Sequence, residues 1–430
     1  LNIIFHTSSG VLVFLISTVL LQGPKRDGGG GGGGGGETVK DKGTALLSFL
    51  AAILFITNPI STEAVAWAAA VSELSFAFFF FLSLYLFMRG RWYLSAIFFL
   101  CSVFSKETGL VLIFFIVAYD LVVRRVRILP LKAWVVRYWP FAVVFIVYVL
   151  LRHNAIGGIV PYETDTRPLS GFEYFLNILP LTAEFLKNLI YPFNLIFFHY
   201  GRLDYIYSFF ELWNIVYILF FILWLYIMKL LWRREPALFY SLIWILMPLV
   251  PIFYLGWNQG DPTYADRFLY APNAGFAISV ALIARAIVRR SASKGEAKST
   301  VLIIKLVFLV VVVAFSISTL KRNIVWQTGL TLWEDSARKS PQNVEARLSY
   351  AGSLTRAARL DEALVEYSLI VKAMPGNAEA HNGLGVVYAS LGRIQAAILE
   401  FRLALEIKPD FKMARVNLER AESLMKKGAP

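Results

Sequence analysis

The chain is short of the residues that build metal and disulfide sites. Its 430 residues include one cysteine and four histidines, too few and too scattered for a His/Cys metal centre. Cys101 has no partner within the chain, so an intramolecular disulfide framework is excluded. Charge is scarce as well, at 17% where soluble domains carry about 25%. No charged n-region precedes the first apolar stretch and no small-residue cleavage site follows it, so no signal peptide is read. The first residue is Leu1, which we read as a start inside a longer protein.

What the chain has in excess is apolar surface. Hydrophobic residues make up 57%, aromatics 15%, with 35 Phe. The mean hydropathy is +0.61. A soluble domain of this length cannot bury so much. Apolar segments lie at 1–21, 44–57, 74–88, 92–104, 109–123, 138–151, 211–232, 237–256, 267–288 and 300–320. These are ten candidate spans of an all-α, polytopic membrane domain. Residues 172–192 are less apolar, holding Glu173, Glu184 and Lys187. They read as an interfacial or re-entrant pair broken at Pro180 and Pro192, or as an eleventh span.

The net charge of +13 has a membrane distribution rather than a nucleic-acid one. If the loop bearing Arg124, Arg125, Arg127, Lys132 and Arg137 is cytoplasmic and the spans alternate, five loops on that side carry 19 Lys+Arg. The other side carries 6, with 11 acids. This is a positive-inside pattern, and no dense basic stripe suited to phosphate backbones is present. Nine consecutive glycines at 28–36 read as a flexible cytoplasmic linker. No strand precedes them and no Gly-Lys-Ser/Thr closes them, so they are not a phosphate-cradling loop.

After residue 320 hydropathy falls and a 34-residue period begins. Residues 378–409 place Leu384, Gly385, Tyr388, Ala397, Phe401, Ala404 and Pro409 at tetratricopeptide positions. A shift of 34 gives Tyr350, Ala351, Leu354, Ala363, Tyr367 and Pro375. Small residues let paired helices approach, aromatics fill between them, and proline ends each second helix. We therefore expect a membrane domain over 1–320 and a soluble helical solenoid over 321–430. The solenoid holds a half repeat at 326–341, repeats at 344–377 and 378–411, and a closing helix at 412–427. The topology puts it outside the cytoplasm.

The residues with chemical potential all fall on that outer side. The segment NPISTEAVAWAAAVSE carries Glu63 and Glu73 and no basic residue. Carboxylates beside a bilayer are costly and mark either solvated helix starts or functional groups. On one continuous helix they would lie about 15 Å apart, too far to flank a single bond. Ser105-Lys106-Glu107 joins two apolar runs with almost no loop, and Lys106 reads either as a snorkelling partner of Glu107 or as a point charge for phosphate. Asp266, Arg267 and Tyr270 open the ninth span, and Arg suits bidentate phosphate recognition. Pro272 and Asn273 within that span read as a local break lining a cavity. His153 and His199 read as incidental.

These motifs together resemble the transmembrane and tetratricopeptide-repeat-containing O-mannosyltransferase family and its bacterial relatives, of the GT-C glycosyltransferase class. The similarity rests on NPISTEAVAWAAAVSEL, SKETG, YPFNLIFFHY, ADRFLYAPNAGF and WQTGLTLWEDSARKSPQN. Asn58 stands where the family has His, and Val71 and Ser72 stand near its usual Arg. The resemblance implies a mannose-like hexose moved, with inversion, from a polyprenyl- or dolichyl-phosphate donor to an acceptor hydroxyl on the extracytoplasmic face. Protein Ser/Thr is one such acceptor. It implies a donor-phosphate site at Lys106 and Arg267, a sugar or acceptor site at Glu63 and Glu73, and support from Glu107, Asp266 and Tyr270. The family's general base belongs to a first outer loop, which would lie upstream of Leu1, so no catalytic residue is assigned. No resident metal is called for, and a divalent cation has no support in the sequence. The setting is a bacterial inner membrane with periplasmic repeats, or an endoplasmic reticulum membrane with luminal ones. A membrane-anchored repeat scaffold that binds a protein partner is the rival reading. A flippase would require inverted repeats, which the sequence lacks.

Overall fold

The computed structural model describes residues 1–23, 36–126, 131–156, 170–197, 212–253 and 264–427. The described residues are helical, with no strand among them. Nearly all of the polyglycine stretch, and His199, lie outside them. Contacts divide the chain into two compact units: the first ends at Asn323, and the second runs from Ile324 and also takes in Ile196 and Phe197.

The first unit is the apolar one. Seven described helices are long and apolar enough to cross a bilayer. An eighth arises if Gly43–Thr57 and Pro59–Ala66, bent by 48°, count as one span. The ten expected segments thus divide into seven full-length helices, one bent pair and two shorter pieces. α1 (Asn2–Gln22) packs on α2 (Gly36–Thr57) and α4 (Val71–Met88), with the short α3 (Thr62–Ala66) between them. α5 (Trp92–Ser105) is one of the two shorter pieces, with 14 residues against the roughly 20 that a span needs. It lies antiparallel to α4, where Ser83 and Ser95 each donate to the other's carbonyl at 2.7 Å. Small hydroxyl residues let helices approach closely in a lipid setting.

The other short piece, 109–123, is not one straight helix. It splits into a 3-10 segment (Glu107–Val111), α6 (Leu112–Ala118) and a π-turn (Tyr119–Val123). The π-turn aims fully buried Asp120 at Arg137, 2.6 Å away, and at the Tyr138 hydroxyl, 2.7 Å away. Both partners lie on α7 (Leu131–Ile156). Residues 172–192 also differ from expectation. α8 (Gly171–Ile190) runs unbroken through Pro180, and a Ser170–Glu173 capping box starts it.

α9 (Leu212–Arg234) is apolar on all sides, and none of its apolar window is buried. α10 (Pro236–Leu246) packs on α11 (Tyr270–Ala292). α12 (Ala297–Val325) has only 6% of its apolar window buried. Apolar helices that turn such surface outward are those of a multi-pass membrane protein. The core between the packed helices is aromatic. Phe80 and Phe115 meet at 5.3 Å, Phe115 and Trp244 at 5.4 Å, and Phe81 and Trp244 at 5.6 Å.

The second unit is a set of paired helices: α13 (Gly329–Lys339), α14 (Val344–Arg356), α15 (Leu360–Ala373), α16 (Ala378–Ser390), α17 (Ile394–Ile407) and α18 (Lys412–Lys427). Its contacts repeat at the sequence period. Asn343 caps α14 through Ala346 N–H at 3.0 Å, and Asn377 caps α16 through Ala380 N–H at 2.8 Å. Arg347 pairs with Glu366 at 2.8 Å, and His381 with Glu400 at 2.7 Å. Phe197, from a segment placed in the membrane domain by sequence, packs on Trp326 and Trp333 of this unit.

Candidate functional site

The chain around Glu63 is bent by its own residues. Asn58 ends α2 in an extended conformation and accepts the Ile60 N–H at 3.1 Å, starting a 3-10 turn at Pro59. A buried amide network holds the bend. The Asn58 amide donates to Asn273 Oδ1 at 2.9 Å, and the Asn273 amide donates to the Phe55 carbonyl at 3.0 Å and Ser61 Oγ at 3.3 Å. This use of Asn273 replaces the expected mid-span break. The irregular turn is Asp266–Leu269, ahead of α11, and Pro272 sits in the first helical turn, where a missing N–H costs little.

Trp67, in extended conformation, and a 3-10 turn at Ala68–Ala70 separate Glu63 from Glu73. The two acids are therefore not on one continuous helix. Glu63, 2% exposed, pairs with Arg267 through Nη1 at 2.5 Å and through its backbone N–H at 3.2 Å. Glu73 is buried and forms an ion pair with Lys106. Lys106 is an extended residue between α5 and the Glu107–Val111 turn. Gly109 lets that turn fold back onto α5, since a Cβ there would lie 2.9 Å from backbone atoms of Ser102 and Val103.

The two ion pairs converge on one aromatic side chain. The Lys106 ammonium lies 4.8 Å from the Phe268 ring centroid, and the Arg267 guanidinium lies 4.9 Å from it. Arg267 also lies 5.0 Å from the Trp67 ring. The two cations are thus within about 10 Å of each other, at cation–π distance from one shared ring, Phe268. In each pair the cation is the more exposed partner. Side-chain exposure is 26% for Arg267 against 2% for Glu63, and 17% for Lys106 against 7% for Glu73. The site presents positive charge outward and keeps its carboxylates behind.

The remaining predicted residues divide. Asp266 is buried and accepts from the Tyr264 hydroxyl at 3.3 Å. Tyr264 stacks on Phe185 at 4.5 Å. Glu107 lies next to Lys106, is more exposed, and meets Arg152 only at 3.8 Å. Tyr270 does not join the cluster. It is fully buried, with its hydroxyl 3.0 Å from His6 Nδ1 and its ring against Phe55. His153 is exposed on α7. Sequence reasoning passed over Trp67, Phe268 and His6. The first two had a signal, being aromatic neighbours of charged motif residues, whereas nothing local marks His6. Among the described residues no three His, Cys, Asp or Glu side chains converge to hold a metal ion. Chemically, two partly exposed cations beside an aromatic ring can meet an anion.

Comparison with known proteins bears on the repeats and on the overall resemblance. Residues 368–410 match the tetratricopeptide repeat model. Over 411 residues, 84% of this chain and 43% of the relative, the chain is 24% identical to "Protein O-mannosyl-transferase TMTC3" of Mus musculus. At this identity the chain is distantly similar to a protein of that name. It is 28% identical to "Protein O-mannosyl-transferase TMTC1" of Homo sapiens over 147 residues, 34% of this chain and 16% of that one. With Drosophila melanogaster Tmtc3 the identity is 23% over 188 residues, 43% of this chain and 20% of the relative. The chain spans less than half the length of these relatives.

Proposed function

We propose that the chain is a membrane glycosyltransferase with a tetratricopeptide domain. It would move a mannose-like hexose from a polyprenyl- or dolichyl-phosphate donor to an acceptor hydroxyl, on a protein Ser or Thr, at the extracytoplasmic face. The observation that carries this reading is the pair of outward cations, Lys106 and Arg267, set over Phe268 with their carboxylates buried behind them. Preorganised cations that meet charge developing on a leaving group are a large source of rate. The acceptor oxygen bonds to the sugar C1 while the bond from C1 to the phosphate oxygen breaks. The electron pair leaves on the phosphate, which Arg267 and Lys106 stabilise. The hydroxyl proton passes to a general base, which is not assigned within this chain. Glu63 and Glu73 fix the two cations and border the sugar. The distant similarity to protein O-mannosyl-transferases supports the transferase class.

The repeats would hold the acceptor protein or a partner, and the tetratricopeptide match supports that role. Binding of labelled polyprenyl-phosphate mannose to the purified chain is the test. Arg267→Ala reduces it at least tenfold if the reading holds, and unchanged binding removes the donor-site assignment. Partner capture that needs the repeats, with no donor binding at all, would favour the membrane scaffold.

A further inference from the structure

A second cationic site lies at the other end of α11. Eighteen residues separate Arg267 from Arg285, about 27 Å along a helix, close to the roughly 30 Å of a bilayer's hydrocarbon core. Arg285, Arg289 and Lys305 line one cavity of about 280 Å³, with Leu21 and Thr44 among its walls. Lys305 and Arg289 are exposed, and no carboxylate among the described residues pairs with either. Arg285 is half-buried, donates to the Leu21 carbonyl, and has Arg289 and Glu235 as charged neighbours. An ionisable residue within an apolar span, as Lys305 is within α12, is costly unless it has a task.

This cavity adjoins a larger one of about 740 Å³, and the two share Leu47, Leu50 and Ile304 as walls. The larger groove runs between α2, α11 and α12, along one face of α11 from Phe276 to Ser291. Those sixteen residues extend about 22 Å, more than one leaflet's half of the hydrocarbon core. Its polar side chains are Ser291 and Thr300, both at the cationic end. The weak packing of α12 leaves the groove open to lipid.

We propose that an anionic glycerophospholipid occupies this groove. Its phosphate meets Arg285, Arg289 and Lys305, and one acyl chain lies between α2, α11 and α12. Charge complementarity selects the occupant. A zwitterionic lipid or a neutral chain would leave Arg289 and Lys305 at the groove's mouth without a counter-charge among the described residues, and basic pockets between membrane helices favour acidic head groups. The donor phosphate site at Arg267 is too distant to share this pocket with the same head group.

The test uses the whole chain in phosphatidylcholine nanodiscs, with spin-labelled phosphatidylglycerol or spin-labelled phosphatidylcholine as the probe. Electron paramagnetic resonance reads the immobilised fraction of each. The expected result is a preference for phosphatidylglycerol that falls about fivefold in Lys305→Gln and further when Arg289→Gln is added. Both side chains are exposed, so the variants leave the fold intact. Ala284→Trp, which fills the groove, lowers immobilisation of phosphatidylglycerol. Equal immobilisation of the two lipids overturns the proposal. So does a preference that both cation variants leave untouched, which would reduce these residues to orientation signals. Occupancy by labelled polyprenyl phosphate that depends on Arg267 rather than Lys305 also overturns it, because the groove would then hold the donor's tail.

Discussion

Replacing Arg267 by methionine probes the cluster most sharply, because the two halves of its ion pair are unequally buried. Glu63 is 2% exposed and the Arg267 side chain 26%. Arg267→Met leaves a carboxylate with little access to water and only the 3.2 Å backbone N–H as a remaining donor from that residue. Removing one partner of a buried pair costs about 3–5 kcal/mol. In a membrane protein the unfolded state also finds polar partners, so the lower end, about 3 kcal/mol, is expected. Glu63→Gln is milder, at about 1–2 kcal/mol, since the guanidinium it strands already reaches solvent. The double variant removes both charges and should cost less than the sum of the singles, with a coupling of about 2 kcal/mol. Reversible unfolding of the purified chain in mixed micelles, titrated with sodium dodecyl sulfate, measures all three. Additivity within about 0.5 kcal/mol, or a Glu63→Gln penalty above that of Arg267→Met, would refute the picture of a buried carboxylate held behind an exposed cation.

Other consequences are simpler. Asn273→Leu removes the hub of the amide network linking Asn58, Phe55 and Ser61. It should cost about 2–3 kcal/mol by orphaning buried polar groups, in the same unfolding titration. Ala358 has a left-handed φ of 57°, at the position where the next repeat has Gly392 with φ 74°. Ala358→Gly should therefore stabilise the repeats by about 1 kcal/mol, read as a higher melting midpoint. Asn377→Ala removes the cap that accepts from Ala380 and should cost about 1 kcal/mol. Faster amide exchange in α16 would show it.

The helical membrane class and the repeats were legible because both depend on local pattern. Hydropathy sets the first and a 34-residue period sets the second. The period reaches side-chain detail, as the Arg347–Glu366 and His381–Glu400 pairs show. Segment lengths were less legible. Residues 109–123 are apolar enough for a span, yet burying Asp120 against Arg137 imposes a π-turn. The unbroken α8 shows that tertiary contacts can carry a proline that reads locally as a helix end. In the site, the charged residue types were visible, but their partners were not. The pairing of Glu63 with Arg267 joins positions 204 residues apart, and the bend at Asn58 that permits it depends on Asn273 from α11. Tyr270 looked like part of the motif because of its spacing. Its hydroxyl turns instead to His6, 264 residues away, a partner that no local pattern reveals.

The central claim is that Lys106 and Arg267 recognise the phosphate of a lipid carrier. The most direct measurement compares the affinity of the purified chain for polyprenyl phosphate with that for the matching polyprenol. Hydrogen bonds to a charged group are worth about 1.5–3 kcal/mol each. The wild-type chain should therefore prefer the phosphate at least a hundredfold, and the Lys106→Gln/Arg267→Gln variant should bind both lipids alike. A phosphate preference that survives the double substitution would contradict the account.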